Sequence, residues 1–144
     1  MAKTARKAKQ AEAPIEAPSI QGLNVTYRAV ADLIPYTKNA RTHSDAQIDV
    51  ICKSIKEFGF TNPLLVDSKS GVIAGHGRLM AARKLGMTEV PCIELAHMSD
   101  VQRRAYVLAD NQTALLAGWD IDLLKMELGD LKLEEFDLSS VGFD

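Results

Sequence analysis

The sequence predicts an α/β chain of the mixed α+β kind, in which a small mixed sheet packs with helices. Short apolar segments typical of strands alternate with longer segments whose apolar residues recur at helical spacing. Of the 144 residues, 47% are hydrophobic and 25% are charged, which is typical of a globular domain. A chain of this length is expected to form one hydrophobic core rather than two.

Four short segments are predicted as strands, at residues 25–30, 63–66, 72–74 and 90–93. The polar turn at 67–71 predicts that the second and third strands form a hairpin. Pro91 has no backbone N–H, so we expect the fourth strand to lie at a sheet edge or to begin late.

Helices are predicted from their caps. Ser44 and Ser99 are each followed three residues later by Gln, so each predicts a helix that opens with a capping box. A short helix is expected at residues 79–85. Asp120 caps a last helix that we expect to run to about residue 128.

Composition divides the chain into three parts. Residues 1–22 are rich in Ala, Lys, Glu and Pro and predict a disordered basic tail, residues 23–128 the folded domain, and residues 129–144 an acidic extension. A basic tail can add salt-sensitive affinity for nucleic acid, although a merely solvated leader is the commoner reading of such a segment.

The rest of the composition points to the cytoplasm. Cys52 and Cys92 are the only cysteines, and each lies among apolar neighbours, so a disulfide scaffold is not expected. The chain has neither an apolar run long enough to span a membrane nor an apolar secretory leader. We therefore expect a cytoplasmic protein without a membrane partner.

The turn Gly75-His76-Gly77-Arg78 joins a predicted strand to a predicted helix. Free N–H groups and the helix dipole at such a junction favour an anion, and Arg78 can bond two phosphate oxygens. An ordinary strand–helix connection with an exposed Arg is the alternative. The Gly-Lys-Ser/Thr ending of a Walker A loop is absent.

Two further segments could support such a site. The segment Asn39-Ala40-Arg41-Thr42-His43-Ser44 directly precedes a predicted helix, so it offers a second anion site with a cation beside it, or only a capping loop with solvated charges. Asp110 and Asn111 lie near the expected end of a helix. Their oxygens could hold Mg²⁺ that also binds phosphates, although both residues are common at helix ends.

The order of these motifs resembles the ParB N-terminal domain of the ParB/sulfiredoxin superfamily. Leu33 to Arg41 resembles its "I-x-P…R" entry, and Gly75 to Ala82 its "G-x-x-R-x-x-A" box. Ala109 to Gln112 is similar to its "E-N" box. A further likeness, to "SI-x-x-x-G-x-x-x-P-x-x-V", rests on Ser54, Ile55, Gly59, Pro63 and Val66.

The resemblance implies a nucleoside triphosphate, CTP or ATP, bound with Mg²⁺. Its phosphate-binding role carries over to Arg41, Thr42, Gly75, His76, Gly77, Arg78 and Asn111, and its metal role to Asp110 and Asn111. Asp110 replaces the usual Glu of the family. His76 stands where sulfiredoxins carry their reactive Cys, which argues against that activity.

Three functions are consistent with the sequence. The first is a nucleotide-binding module acting in DNA-associated regulation, partition or modification, with DNA or a DNA-modifying protein as partner and a homodimer as one arrangement. Residues 108–120 and 141–144 most resemble the ParB-like segment that precedes phage and bacterial DNA methyltransferase domains. The second is a nuclease, an NTPase or a small-molecule kinase, with Asp110, His76 and Asp67 as candidate catalytic acids or bases. The third is a protein-interaction module that uses the acidic end.

Overall fold

The computed structural model describes residues 22–143. Its strands are β1 (Val25–Ala29), β2 (Leu64–Val66), β3 (Val72–Ala74) and β4 (Glu89–Glu94). Its α-helices are α1 (Asp45–Phe58), α2 (His76–Lys84), α3 (Asp100–Leu116) and α4 (Ile121–Leu133). Short 3₁₀ helices lie at Val30–Asp32 and Leu138–Val141. The predicted disordered tail lies outside the described residues, except for Gly22.

The four strands form one mixed sheet in the order β1-β4-β2-β3, which confirms the predicted fold class. β4 pairs antiparallel with β1 and parallel with β2, and β2 and β3 form the predicted antiparallel hairpin. The prediction from Pro91 is wrong, because β4 lies inside the sheet and already begins at Glu89. Pairing with β2 starts one residue after Pro91, at Cys92.

Alternate residues of the short strands supply two cores on opposite faces of the sheet. Leu64 and Val66 pack with Leu79 of α2, whereas Ile73 packs on the other face with Val107 of α3. Outside α2, Ile48 and Cys52 of α1 pack on Ala81. The layers therefore run α1, α2, sheet and α3.

Gly75 alone connects β3 to α2, and it does so in the left-handed conformation, with φ of 101°. The prediction that α2 begins at 79 is wrong, because His76, Gly77 and Arg78 already form its first turn. The N–H of Leu79 donates to the carbonyl of Gly75 at 2.9 Å, which closes that turn. A Cβ on Gly75 would meet the side chains of Leu64 and Arg78.

The other caps follow the sequence in part. The capping box of Ser99 and Gln102 is confirmed. At α1, Ser44 Oγ accepts from the N–H of Gln47 at 3.1 Å, but the Gln47 side chain pairs with His43 instead of completing a box. Asp120 caps α4 as predicted, and the helix runs to Leu133 rather than to about residue 128.

Arg103 fastens α3 to the β2–β3 turn. Its guanidinium donates to Asp67 Oδ2 at 2.6 Å and to Asp100 Oδ1 at 2.7 Å. The other oxygen of Asp67 accepts from the N–H groups of Lys69 and Gly71, each at 2.8 Å. Burial opposes ionisation of Asp67, but these bonds and the Arg103 charge outweigh it and lower the pKa of the carboxyl.

We predict that Asp67→Asn lowers the free energy of unfolding by about 1–3 kcal/mol near neutral pH, because the variant loses charge-assisted hydrogen bonds. The lowered pKa of Asp67 means that its ionised form stabilises the fold above pH 3.8. This contribution is lost as the pH falls below 3.8 through the folded-state pKa. Urea unfolding at neutral and acidic pH measures both effects. Asp49→Asn is the control, because Asp49 pairs with Lys84 on the surface, where both side chains are 53% exposed. An equal loss for Asp67→Asn at both pH values would contradict the assignment.

A second prediction compares Gly75→Ala with Gly86→Ala. Both glycines have positive φ, of 101° and 71°, so each alanine costs about 1–2 kcal/mol of left-handed strain. A Cβ on Gly86 meets nothing within 4 Å, whereas one on Gly75 meets Leu64 and Arg78. We therefore expect Gly75→Ala to lose about 1–3 kcal/mol more than Gly86→Ala in urea unfolding. Equal losses would show that the junction is not tightly packed.

Candidate functional site

The first turn of α2 presents backbone N–H groups that no capping side chain satisfies. Gly75, the N-cap residue, has no side chain, and the N–H groups of the first helical turn have no partner within their own helix. Gly77 is buried, and a Cβ there would lie 3.0 Å from Ile51 Cδ1 and 3.1 Å from His43 Cε1. The helix start therefore combines donors for an anion with a close approach of neighbouring elements.

A cavity of about 200 Å³ lies in front of this helix start, between the loop that precedes α1 and the middle of α3. We call it the smaller cavity. Seven predicted site residues line it, namely Arg41, Gly75, His76, Gly77, Arg78, Asp110 and Asn111. The fold thus brings together three motifs that are distant in the sequence.

Thr42 is the exception among the predicted phosphate-binding residues. It is exposed and lines a cleft between the loop and α3 that adjoins the smaller cavity and shares Arg41, Gln47 and Asn111 with it. The smaller cavity also includes Asn39 and His43, which belong to the predicted second anion segment, and Gln47, which was predicted only as a capping residue.

Arg78 is half-buried at the cavity wall, and its guanidinium is incompletely bonded. Its Nη2 donates to the carbonyl of Pro63 at 3.3 Å, while its buried Nε has no hydrogen-bond partner among the described residues. Burial lowers the pKa of Arg78, and the nearby Asp110 carboxylate partly offsets this effect. An arginine remains charged under these conditions, so the site holds a positive charge with unused donor capacity.

His76 is held as a neutral ring. Its Nε2 accepts a hydrogen bond from the backbone N–H of Tyr36 at 3.1 Å, so this nitrogen carries no proton. Burial lowers the pKa of His76, and the neighbouring His43 lowers it further. The proton of the neutral ring then lies on Nδ1. This arrangement favours a hydrogen-bond donor over a general base.

Two local bonds order the loop before α1. The side chain of Asn39 accepts from the N–H of Arg41 at 3.2 Å, and His43 Nδ1 lies 2.9 Å from Gln47 Oε1. These contacts keep Arg41 and His43 beside the first turn of α2. A second cation therefore faces the anion-binding N–H groups.

Asp110 and Asn111 lie inside α3, not near its end as predicted, because the helix continues to Leu116. Asn111 Nδ2 donates to the carbonyl of Val107 at 2.8 Å, so its Oδ1 is the atom left to bind a ligand. One carboxylate and one amide oxygen fit Mg²⁺ that retains water and binds phosphates. Among residues 22–143, no three His, Cys, Asp or Glu side chains gather as a metal cluster.

A larger cavity of about 510 Å³ adjoins the smaller one, and Ile51 and Arg78 line both. Its walls are apolar side chains of α1, the loop at 59–62 and the 3₁₀ helix Leu138–Val141. Phe58, Phe60, Thr61, Asn62 and Ser140 are among its residues. The two cavities together offer a polar compartment and an apolar compartment joined at one arginine.

The sequence carried a usable signal for only part of the larger cavity. Residues 59–62 directly precede Pro63 and β2 in the sequence. The carbonyl of Pro63 accepts from Arg78 of the "G-x-x-R" box, so the sequence could have indicated that this loop lies beside the box. Ser140 reaches the larger cavity because residues distant in the sequence pack together, and no local sequence pattern indicates this contact.

Within the described part of the chain, no helix is long and apolar enough to cross a membrane.

The family profile described as "ParB N-terminal domain" matches residues 15–112. The "ParB-like nuclease domain-containing protein YnaK" of Escherichia coli (strain K12) is 50% identical over 82 residues, covering 57% of this chain and 94% of YnaK. The "Nucleoid occlusion protein" of Bacillus cereus (strain B4264) is 32% identical over 87 residues. That match covers 57% of this chain but 30% of the relative.

Solved structures share the fold. C-terminally truncated chromosome-partitioning protein ParB from Caulobacter crescentus, complexed with CTP-gamma-S, has a TM-score of 0.68 and 20% identity, covering 84% of this chain and 72% of that chain. A Pnob8-like ParB-N domain has a TM-score of 0.54 and 20% identity, covering 79% and 51%. The family profile spans most of the chain and YnaK matches almost end to end, so the chain belongs to the ParB N-terminal domain family.

Proposed function

We propose that the chain binds a nucleoside triphosphate, with the phosphates in the smaller cavity and the base in the larger one. The observation that carries this proposal is Arg78. It lines both cavities, and its buried Nε lacks a partner among the described residues beside the open N–H groups of α2. A buried donor of this kind is costly unless a ligand satisfies it.

The smaller cavity suits a polyphosphate. The N–H groups of His76, Gly77 and Arg78 and the helix dipole attract negative charge, and the guanidinium groups of Arg41 and Arg78 add two cations. The neutral His76 ring can donate from Nδ1. Several donors converging on a small polar cavity support a ligand with several anionic oxygens.

The nucleotide is CTP or ATP in this proposal. The ParB neighbour was solved with CTP-gamma-S, which supports CTP by analogy of fold. The larger cavity, with Phe58 and Phe60 on its wall, offers an apolar environment for a base. His76 is given a binding role and no proton-transfer role in this proposal, because its Nε2 already accepts from the N–H of Tyr36.

Mg²⁺ accompanies the nucleotide in the proposal. Asp110 and Asn111 Oδ1 would hold the ion at the α3 wall of the smaller cavity. The ion would supply positive charge that bridges phosphate oxygens.

The cellular role in this proposal is DNA-associated regulation in the cytoplasm. The names of the ParB and nucleoid occlusion relatives support it, and the partner would be DNA or a DNA-modifying protein such as a methyltransferase. Association with a second copy of the chain is included, because α3 and α4 expose large apolar side chains. Examples are Leu108 (59% exposed), Leu116 (75%) and Leu123 (60%).

We predict that Arg78→Ala weakens the binding of CTP or ATP by about tenfold or more, because charge-assisted hydrogen bonds to phosphate are lost. Isothermal titration with each nucleotide and Mg²⁺ measures the affinity. Arg83→Ala is the matched control, since Arg83 lies on the same helix, outside both cavities, and its guanidinium donates to the carbonyl of Leu33. Equal losses in the two variants, or no binding by the wild type, would refute the proposal.

The metal site has its own prediction. Wild-type affinity for the nucleotide rises when Mg²⁺ is added, and Asp110→Asn removes that rise, on the order of tenfold, because the ion loses its carboxylate ligand. In EDTA, Asp110→Asn binds the nucleotide with an affinity close to that of the wild type. Asp122→Asn, an exposed carboxylate change on α4, keeps the full Mg²⁺ effect. A full Mg²⁺ effect in Asp110→Asn would place the ion elsewhere.

A further inference from the structure

The C-terminal segment, residues 134–143, folds back onto α1. The ring of Phe136 stacks on Phe58, with centroids 6.2 Å apart and planes at 17°. The ring of Phe143 meets Trp119 edge-on at 5.7 Å. Gly142 lies close to α1, because a Cβ there would be 3.4 Å from Val50 Cγ1. Aromatic contacts at both ends therefore hold this acidic segment against the domain.

Local hydrogen bonds set the shape of its 3₁₀ helix. The carboxylate of Asp137 accepts from the backbone N–H of Ser139 at 3.0 Å and from its hydroxyl at 2.6 Å. These bonds lower the pKa of Asp137. Ser140 donates twice to the carbonyl of Asp137, from its N–H at 3.2 Å and from Oγ at 2.7 Å. The turn that carries Ser140 is therefore preorganised.

Ser140 and Val141 line the larger cavity, as do Thr61 and Asn62 of the loop before β2. Ser140 is 5% exposed and is the one buried residue of the segment 134–143. A serine hydroxyl has one proton, and here that proton is used by the carbonyl of Asp137. The lone pairs of Oγ remain, so toward a ligand Ser140 is an acceptor.

We infer that Ser140 determines which base the larger cavity accepts, favouring bases with an exocyclic amino group. The inference rests on the proposed nucleotide function. An acceptor in a buried wall bonds the amino group of cytosine or adenine, whereas uracil presents a carbonyl oxygen at the equivalent position of the pyrimidine. A uracil carbonyl would face the Oγ lone pairs, and the hydroxyl could donate to it only by giving up its bond to the carbonyl of Asp137, which weakens UTP binding relative to CTP.

The test compares CTP with UTP, because the two differ in this amino group and the adjoining ring nitrogen. The full chain, Ser140→Ala and the control Ser68→Ala, a change at an exposed serine of the β2–β3 turn, are titrated calorimetrically with CTP, UTP and inorganic tripolyphosphate. We expect the wild type to prefer CTP over UTP. Ser140→Ala reduces that preference by about three- to tenfold, and tripolyphosphate affinity stays unchanged. Ser68→Ala keeps the wild-type preference, since Ser68 is exposed in the β2–β3 turn and lines neither cavity.

The outcomes separate the inference from the function on which it rests. If the wild type binds CTP and tripolyphosphate but Ser140→Ala keeps the CTP/UTP ratio, the inference is wrong and the proposed function stands. Equal weakening of all three ligands would assign Ser140 a structural role and also overturns the inference. If the wild type binds neither nucleotide nor tripolyphosphate, both the inference and the proposed function fail.

The fluorescence of Trp119, the only tryptophan, reports independently on the C-terminal segment through its contact with Phe143. Its emission should change with CTP but not with tripolyphosphate, and an equal response to both ligands counts against the inference.

Discussion

The left-handed backbone at Gly75 is the constraint on which the site depends. It lets the buried strand β3 pass into α2 within one residue, so the first helical turn begins against the sheet. The same glycine leaves room for Leu64 and for the guanidinium of Arg78. A side chain here would either displace Arg78 or open the core beneath it. The packing around Gly75 therefore determines both the stability of the sheet and the position of the Arg78 guanidinium.

The other walls are brought to this junction by separate contacts. Arg103 ties α3 to the β2–β3 turn through Asp67, and Val107 packs on Ile73, so Asn111, one helical turn beyond Val107, faces the start of α2. Residues 134–143 close the apolar side by stacking on α1. Different parts of the fold thus build the polar and apolar compartments, and Arg78 connects them. Such a division allows base choice to change without altering phosphate binding.

Local patterns predicted the hairpin, the helix caps and three motifs whose order carried the family resemblance. These local patterns gave wrong predictions at positions whose structure depends on tertiary packing. Pro91 is tolerated inside the sheet because pairing with β2 begins only after it, and no local pattern contains that register. The helix start at His76 depends on the φ of Gly75, which glycine alone does not specify. Thr42 matched a motif but faces another cleft, and Ser140 reaches its cavity only through long-range stacking.

The central claim is that phosphates bind at the first turn of α2. Amide chemical shifts of the isotope-labelled chain, titrated with inorganic tripolyphosphate, test it most directly. The account predicts the largest shifts at His76, Gly77 and Arg78, with Asn111 Nδ2 responding as well. Replacing tripolyphosphate by CTP should add shifts at 60–62 and at Ser140. Saturable binding that leaves the α2 amides unshifted, with the changes confined to other parts of the chain, would contradict it.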